Sequence, residues 1–163
     1  RLFAYDQMQA KITTLGAKYP ELTICDGIET VAQNSEVIVF AVPFTSIQRL
    51  SGADRTAIES HESLVLALCG YAPLNLLEKY LPAKVAKAFP NINWAVGSGV
   101  TMVMVGERFT ELDKQMICMS SKGFGQTRYK NKRGFQVSDT FFLLFKQPLK
   151  SNYTSSVEAS FSS

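Results

Sequence analysis

The sequence predicts an α/β fold with a doubly wound, mostly parallel sheet, and three observations carry that expectation. Residues 37–42 (Val-Ile-Val-Phe-Ala-Val) and 64–68 (Leu-Val-Leu-Ala-Leu) are unbroken apolar runs, as strands buried on both faces require. Segments with helical spacing alternate with these and with weaker apolar runs, which is the order of βαβ units. Gly and Pro punctuate the junctions, at Gly16, Pro20, Pro43, Gly70 and Pro73, where the chain must turn.

Taken in order, residues 2–5 form a short apolar run that ends at Asp6. Residues 7–18 place Met8, Ile12 and Leu15 along one helix face. Residues 22–25 read as a strand and 28–33 as a short helix. Pro43 stops the buried strand 37–42, and residues 44–50 suit a helix start. Gly70 ends the strand 64–68, and Pro73 introduces a helix over 74–80. Residues 84–89 and 100–105 are further strands. Thr110 caps a helix running to about Ser120, with Glu111 and Asp113 well placed in its first turn. From Gly123 the pattern fails, and residues 126–163 read as an exposed extension, first basic and then serine-rich.

A chain of 163 residues suits one domain. With 46% hydrophobic and 19% charged residues it is globular rather than disordered. No apolar run approaches the roughly 20 residues that span a bilayer, and residues 1–10 lack the order of a signal peptide. A cytoplasmic location without membrane partners is therefore expected. Cys25, Cys69 and Cys118 are too far apart for a disulfide framework or a zinc site, and no metal is expected. Each is expected as a buried, reduced thiol. The single histidine, His61, lies in a polar stretch and is expected on the surface, so no Ser/His or Cys/His pair can be argued. The net charge of +3 hides a split: residues 1–121 hold ten basic and twelve acidic residues, and residues 122–163 hold seven and two.

In an open parallel sheet, ligands bind beyond the carboxyl ends of the strands. That rule selects Asp6, then Ala41, Val42 and Pro43, then Cys69 and Gly70, then Pro90 and Asn91. If residues 2–5 are the second strand of a Rossmann-like unit, Asp6 can accept hydrogen bonds from an adenosine ribose and favours NAD over NADP. It serves equally well as a helix N-cap. The phosphate-binding pattern Gly-x-Gly-x-x-Gly, expected about 20 residues before such an acid, does not occur. Gly97-Ser98-Gly99 and Gly123-Phe124-Gly125 imitate it only in part and are expected to be turns. No catalytic acid, base or nucleophile can be named.

Residues 89–101, Phe-Pro-Asn-Ile-Asn-Trp-Ala-Val-Gly-Ser-Gly-Val-Thr, resemble without gaps the Met-Pro-Asn-Thr-Pro-Ala-Leu-Val-Gly-Glu-Gly-Val-Thr segment of pyrroline-5-carboxylate reductases. Residues 37–43 are similar to that family's fourth strand, which usually ends Ala-Val-Lys-Pro; here the lysine is absent. Cys69-Gly70 stands where the family has Ala-Gly, Tyr80-Leu81-Pro82 precedes the next strand as in the family, and residues 110–125 resemble the last helix of its cofactor domain. The resemblance implies a Rossmann-like NAD(P)-binding domain over residues 1–125, lacking the first strand and glycine loop. It implies NAD or NADP as cofactor and an oxidoreductase that reduces a cyclic imine, or a related carbonyl compound, in proline biosynthesis. Ala41, Val42, Pro43, Cys69 and Gly70 would then line the cofactor, and Pro90 and Asn91 would shape its nicotinamide end. Asn91 serves as readily to hold a turn through side-chain hydrogen bonds. Asn93 and Trp94 replace the usual Pro-Ala, and no helical dimerisation domain is recognisable in residues 126–163. A homodimer is accordingly an expectation for a full-length protein only.

Without the glycine loop a pyrophosphate loses its helix N-terminus and close backbone contacts, so this chain alone is expected to be inactive. The alternative is a non-catalytic module that kept the scaffold and lost the cofactor. A third possibility takes Lys122, Arg128, Lys130, Lys132 and Arg133, interleaved with Phe124, Tyr129 and Phe135, as a nucleic-acid contact. A solvated linker is the commoner origin of such a run, and nucleic acid is not taken as a partner.

Overall fold

The computed structural model describes residues 1–121 and 125–131. Along the chain run β1 (Leu2–Ala4), α1 (Gln9–Lys18), β2 (Leu22–Ile24), α2 (Ile28–Gln33), β3 (Val37–Phe40), α3 (Phe44–Gln48) and α4 (Gly52–Ser60). They are followed by β4 (Leu64–Ala67), α5 (Leu74–Tyr80), β5 (Lys84–Phe89), a 3-10 turn (Ile92–Val96), β6 (Gly99–Val105), α6 (Glu111–Ser121) and β7 (Gly125–Asn131).

The strands form two sheets. β1 pairs in parallel with β2, Leu2 opposite Leu22. The larger sheet has the order β3-β4-β5-β6-β7. Within it β3, β4 and β5 run parallel, β6 runs antiparallel to β5, and β7 runs parallel to β6. The sheet is thus mostly parallel, as the sequence predicts, with one reversal after β5. A doubly wound sheet has the order 3-2-1-4-5-6. The order β2-β1 in one sheet and β3-β4-β5 in the other fits positions 3-2 and 4-5-6. Position 1, between β1 and β3, is not filled by any strand of the described residues.

Alternation along the strands sends side chains into two cores. Ile38, Phe40, Val65, Ala67, Val85 and Met104 meet Ala32, Ile47, Ile58, Leu74 and Leu77, from α2 to α5, on one face. Leu64, Leu66, Ala86, Ala88, Val103 and Val105 meet Ile117 of α6 on the other. β4 contributes to both cores with every residue buried, which is why its sequence is continuously apolar. Helices therefore cover both faces, and the sheet is doubly wound.

Two elements lie where the sequence predicts none. α4 is opened by a capping box in which Ser51 and Asp54 exchange side-chain bonds with each other's backbone N–H, each at 3.1 Å. Its Ser-x-x-Asp spacing was available as a signal. β7 corrects the expectation of an exposed extension from residue 123: residues 125–131 pair along the whole of β6, and the sheet passes the boundary placed at residue 125. Tyr129 packs beside Ile117 and donates its hydroxyl to the Lys114 carbonyl, so it is no exposed stacking platform. Burial above all, reinforced by the nearby Cys118 and Glu111 charges, raises that phenol to about 12. Lys122, Phe124, Lys132, Arg133, Phe135 and the serine-rich tail lie outside the described residues. Cys25 and Cys69 are free and buried, but Cys118, expected inside, is exposed on α6. His61 is exposed at the C-cap of α4.

Candidate functional site at the carboxyl ends of the strands

β3 and β4 stop side by side, held by the Leu68 N–H donating to the Phe40 carbonyl at 2.9 Å. Just past that point the chains diverge, β3 into α3 and β4 into the turn before α5. The divergence opens a groove of about 400 Å³ lined by Ala41, Val42, Pro43, Phe44, Leu68, Cys69, Gly70 and Tyr71. Five of the eight residues selected from the sequence meet here. β3 ends at Phe40, two residues short of the strand 37–42 expected from the sequence, and Pro43 stands at the N-cap of α3. Gly70 has open space where a side chain would project. The walls are otherwise apolar, and Tyr71 stands fully exposed at the rim. A depression of about 430 Å³ elsewhere is lined by Ala10, Lys11, Thr14, Leu15 and Lys18. All five belong to α1, so no chemistry from separate elements converges there.

Pro90 and Asn91 end β5, the strand beside β4 and parallel to it. They stand at the same end of the sheet but do not line the groove. Both amide atoms of Asn91, Oδ1 and Nδ2, are shut off from solvent, and neither has a hydrogen-bond partner among the described residues. The turn-holding role allowed by the sequence is therefore not the one adopted, since it requires those bonds.

Asp6 follows β1 in the smaller sheet and lies apart from the groove. Its Oδ1 accepts from the Met8 N–H at 2.7 Å. Asp6 is not the N-cap: Met8 is, without a side-chain cap. The carboxylate shapes the turn into α1 with one oxygen. Gly97 has φ 67°, a left-handed backbone suited to glycine, and turns the chain toward β6, so the expected turn is found at Gly97 while Gly99 is already the first residue of the strand.

One polar residue of this region escaped the sequence reading. Lys87, in the middle of β5, is only 5% exposed. Its ammonium donates to the Gly70 carbonyl at 2.8 Å and the Ala72 carbonyl at 2.6 Å, and lies 4.7 Å from the centroid of the Phe89 ring. Burial pulls its pKa below the usual lysine range, opposed by the charge of the nearby Cys69 thiolate form. The signal was present as a lysine between Ala86 and Ala88 in the apolar part of a strand.

The set fits a nicotinamide dinucleotide only in part. An apolar groove with an orphan carboxamide nearby suits a flat, amide-bearing ring. No Gly-x-Gly-x-x-Gly turn exists in the chain to cradle a pyrophosphate. Among the described residues no cluster of three or more His, Cys, Asp or Glu could hold a metal, and no helix is long and apolar enough to cross a membrane.

No protein-family model matches the chain, and no curated protein matches its sequence. Solved structures do match its fold. A pyrroline-5-carboxylate reductase from Coxiella burnetii aligns at TM-score 0.66 and 19% identity, over 78% of this chain and 48% of that one. The pyrroline carboxylate reductase of Plasmodium falciparum with NADP bound aligns at 0.58 and 17%, over 80% and 46%. Prephenate dehydrogenase from A. aeolicus, in complex with hydroxyphenyl propionate and NAD+, aligns at 0.60 and 9%, over 80% and 50%. The chain spans about half the length of these structures. Its fold is that of the Rossmann half of NAD(P)-dependent reductases and dehydrogenases.

Proposed function

We propose that this chain is the cofactor-side domain of an NAD(P)H-dependent reductase acting on a cyclic imine of the pyrroline-5-carboxylate type, in proline biosynthesis. The observation that carries the proposal is the convergence at one sheet end of the groove (Ala41, Val42, Pro43, Cys69, Gly70) and the buried, unpartnered amide of Asn91. Such an amide is stable in a native protein when a ligand completes its hydrogen bonds. Ala41 to Pro43 and Cys69-Gly70 would hold the ring between them, and Pro90 and Asn91 would fix its carboxamide end. The second oxygen of Asp6 would face the ribose. When bound, the reduced nicotinamide supplies the reducing equivalent for a C=N bond, while these residues orient it and exclude water. The substrate would be a small molecule, and a homodimer and cytoplasmic location belong to the same proposal.

Because the pyrophosphate cradle is missing from the chain, these 163 residues are expected to bind NADH or NADPH weakly and to show no reductase activity alone. The reading is tested by titrating the protein with each dinucleotide and following amide resonances. Shifts confined to residues 6, 41–43, 69–71 and 90–91 support it; shifts elsewhere, or none at millimolar dinucleotide, refute it. A micromolar Kd would overturn the expectation of weak binding. The alternative of a non-catalytic module is favoured by one observation, the absence of a Gly-x-Gly-x-x-Gly turn. Pyrroline-5-carboxylate reduction by the full-length protein would exclude it.

A further inference from the structure

Lys87 is a cation in a nearly buried position. It lies within a strand whose other central residues, Val85, Ala86 and Ala88, are packed in the two cores. Among the described residues no carboxylate pairs with it, whereas the ion pairs present join Lys84 to Asp113 and Lys114 to Glu111. An unpaired buried cation is disfavoured unless neighbouring dipoles replace its lost hydration. Here the dipoles are the carbonyls of Gly70 and Ala72 and the face of Phe89. Both carbonyls belong to the turn from β4 to α5, the turn whose Cys69, Gly70 and Tyr71 form one wall of the groove.

We propose that Lys87 is the positioning residue of the groove, an ammonium clamp that fixes the 69–72 turn from beneath. Two of its three N–H donors straddle the turn, one on each side of Tyr71. With those carbonyls held, the wall is set before a ligand arrives, and the ordering cost of the turn is not charged against binding. A methionine at this position would fill the same channel and leave the turn untethered. An arginine would keep a cation and donors for both carbonyls. The groove's role as a dinucleotide site rests on the function proposed above; the clamp itself does not.

The test compares wild type, Lys87→Met and Lys87→Arg by hydrogen exchange, with denaturant unfolding as the control for global stability. In Lys87→Met the amides of residues 69–72 are expected to exchange at least tenfold faster while β3 to β5 keep their protection; Lys87→Arg is expected to restore most of the difference. Unchanged exchange at 69–72, or an equal loss across all strands, overturns the clamp. Should Lys87→Met fail to fold, nitrogen-15 spectra of the wild-type lysines decide. A clamped, solvent-shielded Lys87 ammonium gives a slowly exchanging signal at neutral pH, and its absence refutes the proposal. NADH titration of the same proteins separates the two readings. A clamp seen by exchange in a protein that does not shift with NADH refutes the dinucleotide reading and leaves Lys87 as the positioning residue of the turn.

Discussion

Replacing Asn91 by leucine asks whether its orphan amide serves folding or a ligand. Oδ1 and Nδ2 are both out of solvent and without partners among the described residues, and a buried unsatisfied group costs about 1–3 kcal/mol. Leucine keeps the branched shape and removes both polar atoms, while its extra bulk returns part of the gain, up to about 1 kcal/mol. The net expectation is a free protein more stable by about 1–2 kcal/mol. For a chain of this size that raises Tm by roughly 2–8 °C. Asn91→Ala, which adds no bulk, serves as the control. The assay is thermal unfolding by circular dichroism, paired with NADH titration, in which Asn91→Leu is expected to lose its shifts at residues 90–91. A fall in Tm would refute the reasoning, because it would mean that the amide supports the turn after β5. A rise in Tm with dinucleotide shifts intact would refute the assignment of Asn91 to the ligand.

Asp113→Ala removes the acceptor for the Thr110 N–H and hydroxyl, at 2.7 and 2.8 Å, and the partner of Lys84 at 2.8 Å. Loss of the cap plus a part-exposed ion pair is expected to destabilise by about 1–3 kcal/mol in urea titration. Burial pushes that carboxyl up, but Lys84 and the Thr110 hydrogen bonds prevail and hold it below its ordinary value. Its contribution is therefore present above about pH 4 and lost as pH falls through the lowered pKa; Asp113→Asn is expected to flatten that acid limb. Tyr129→Phe is expected to lose about 0.5–1.5 kcal/mol, and an unchanged unfolding midpoint would detach β7 from the folded unit. Because the Tyr129 phenol is raised to about 12, its contribution is full below about pH 10 and fades as pH rises toward its folded value, a limb absent from the phenylalanine variant. Leu77→Ala, at a fully buried position of the larger core, is expected to cost about 2–5 kcal/mol; a loss below 1 kcal/mol would contradict the packing described.

The strands buried on both faces were legible because burial leaves no room for polar residues: β3 and β4 are continuous apolar runs with a Pro or Gly shortly after them. The same logic concealed β7. It follows a parallel pairing with β6 at the margin of the sheet, where polar and charged residues are tolerated and even useful, so Gln126, Thr127 and Arg128 carry no apolar signature. The reversal of β6 was equally hidden, since strand direction leaves no trace in a local pattern. Of the site, the groove residues followed from the rule that ligands bind beyond strand ends. Lys87 did not, because its role depends on two carbonyls fifteen and seventeen residues away. The N-cap role of Asp6 failed because the helix begins later, at Gln9, with Met8 as its N-cap.

Most buried polar residues are satisfied by bonds that also serve the fold. The Ser63 hydroxyl donates to the Ser35 carbonyl at 2.8 Å and ties the start of β4 to the approach to β3. Asp113 accepts from the Thr110 N–H at the start of α6 and pairs with Lys84. Lys87 and Asn91 depart from this in different ways, one a buried charge without a counter-ion and the other an amide without a partner. They stand four positions apart, on either side of Phe89-Pro90, Lys87 within β5 and Asn91 past its carboxyl end. Scattered at random, such departures would only weaken a core. The Lys87 ammonium reaches the turn past β4 and Asn91 follows β5, and such a grouping is what is expected when local rules of burial are overridden by a site. The groove at the strand ends is built from residues 41–44 and 68–71, whereas the Gly-x-Gly-x-x-Gly turn that cradles a pyrophosphate in a Rossmann fold does not occur in the sequence.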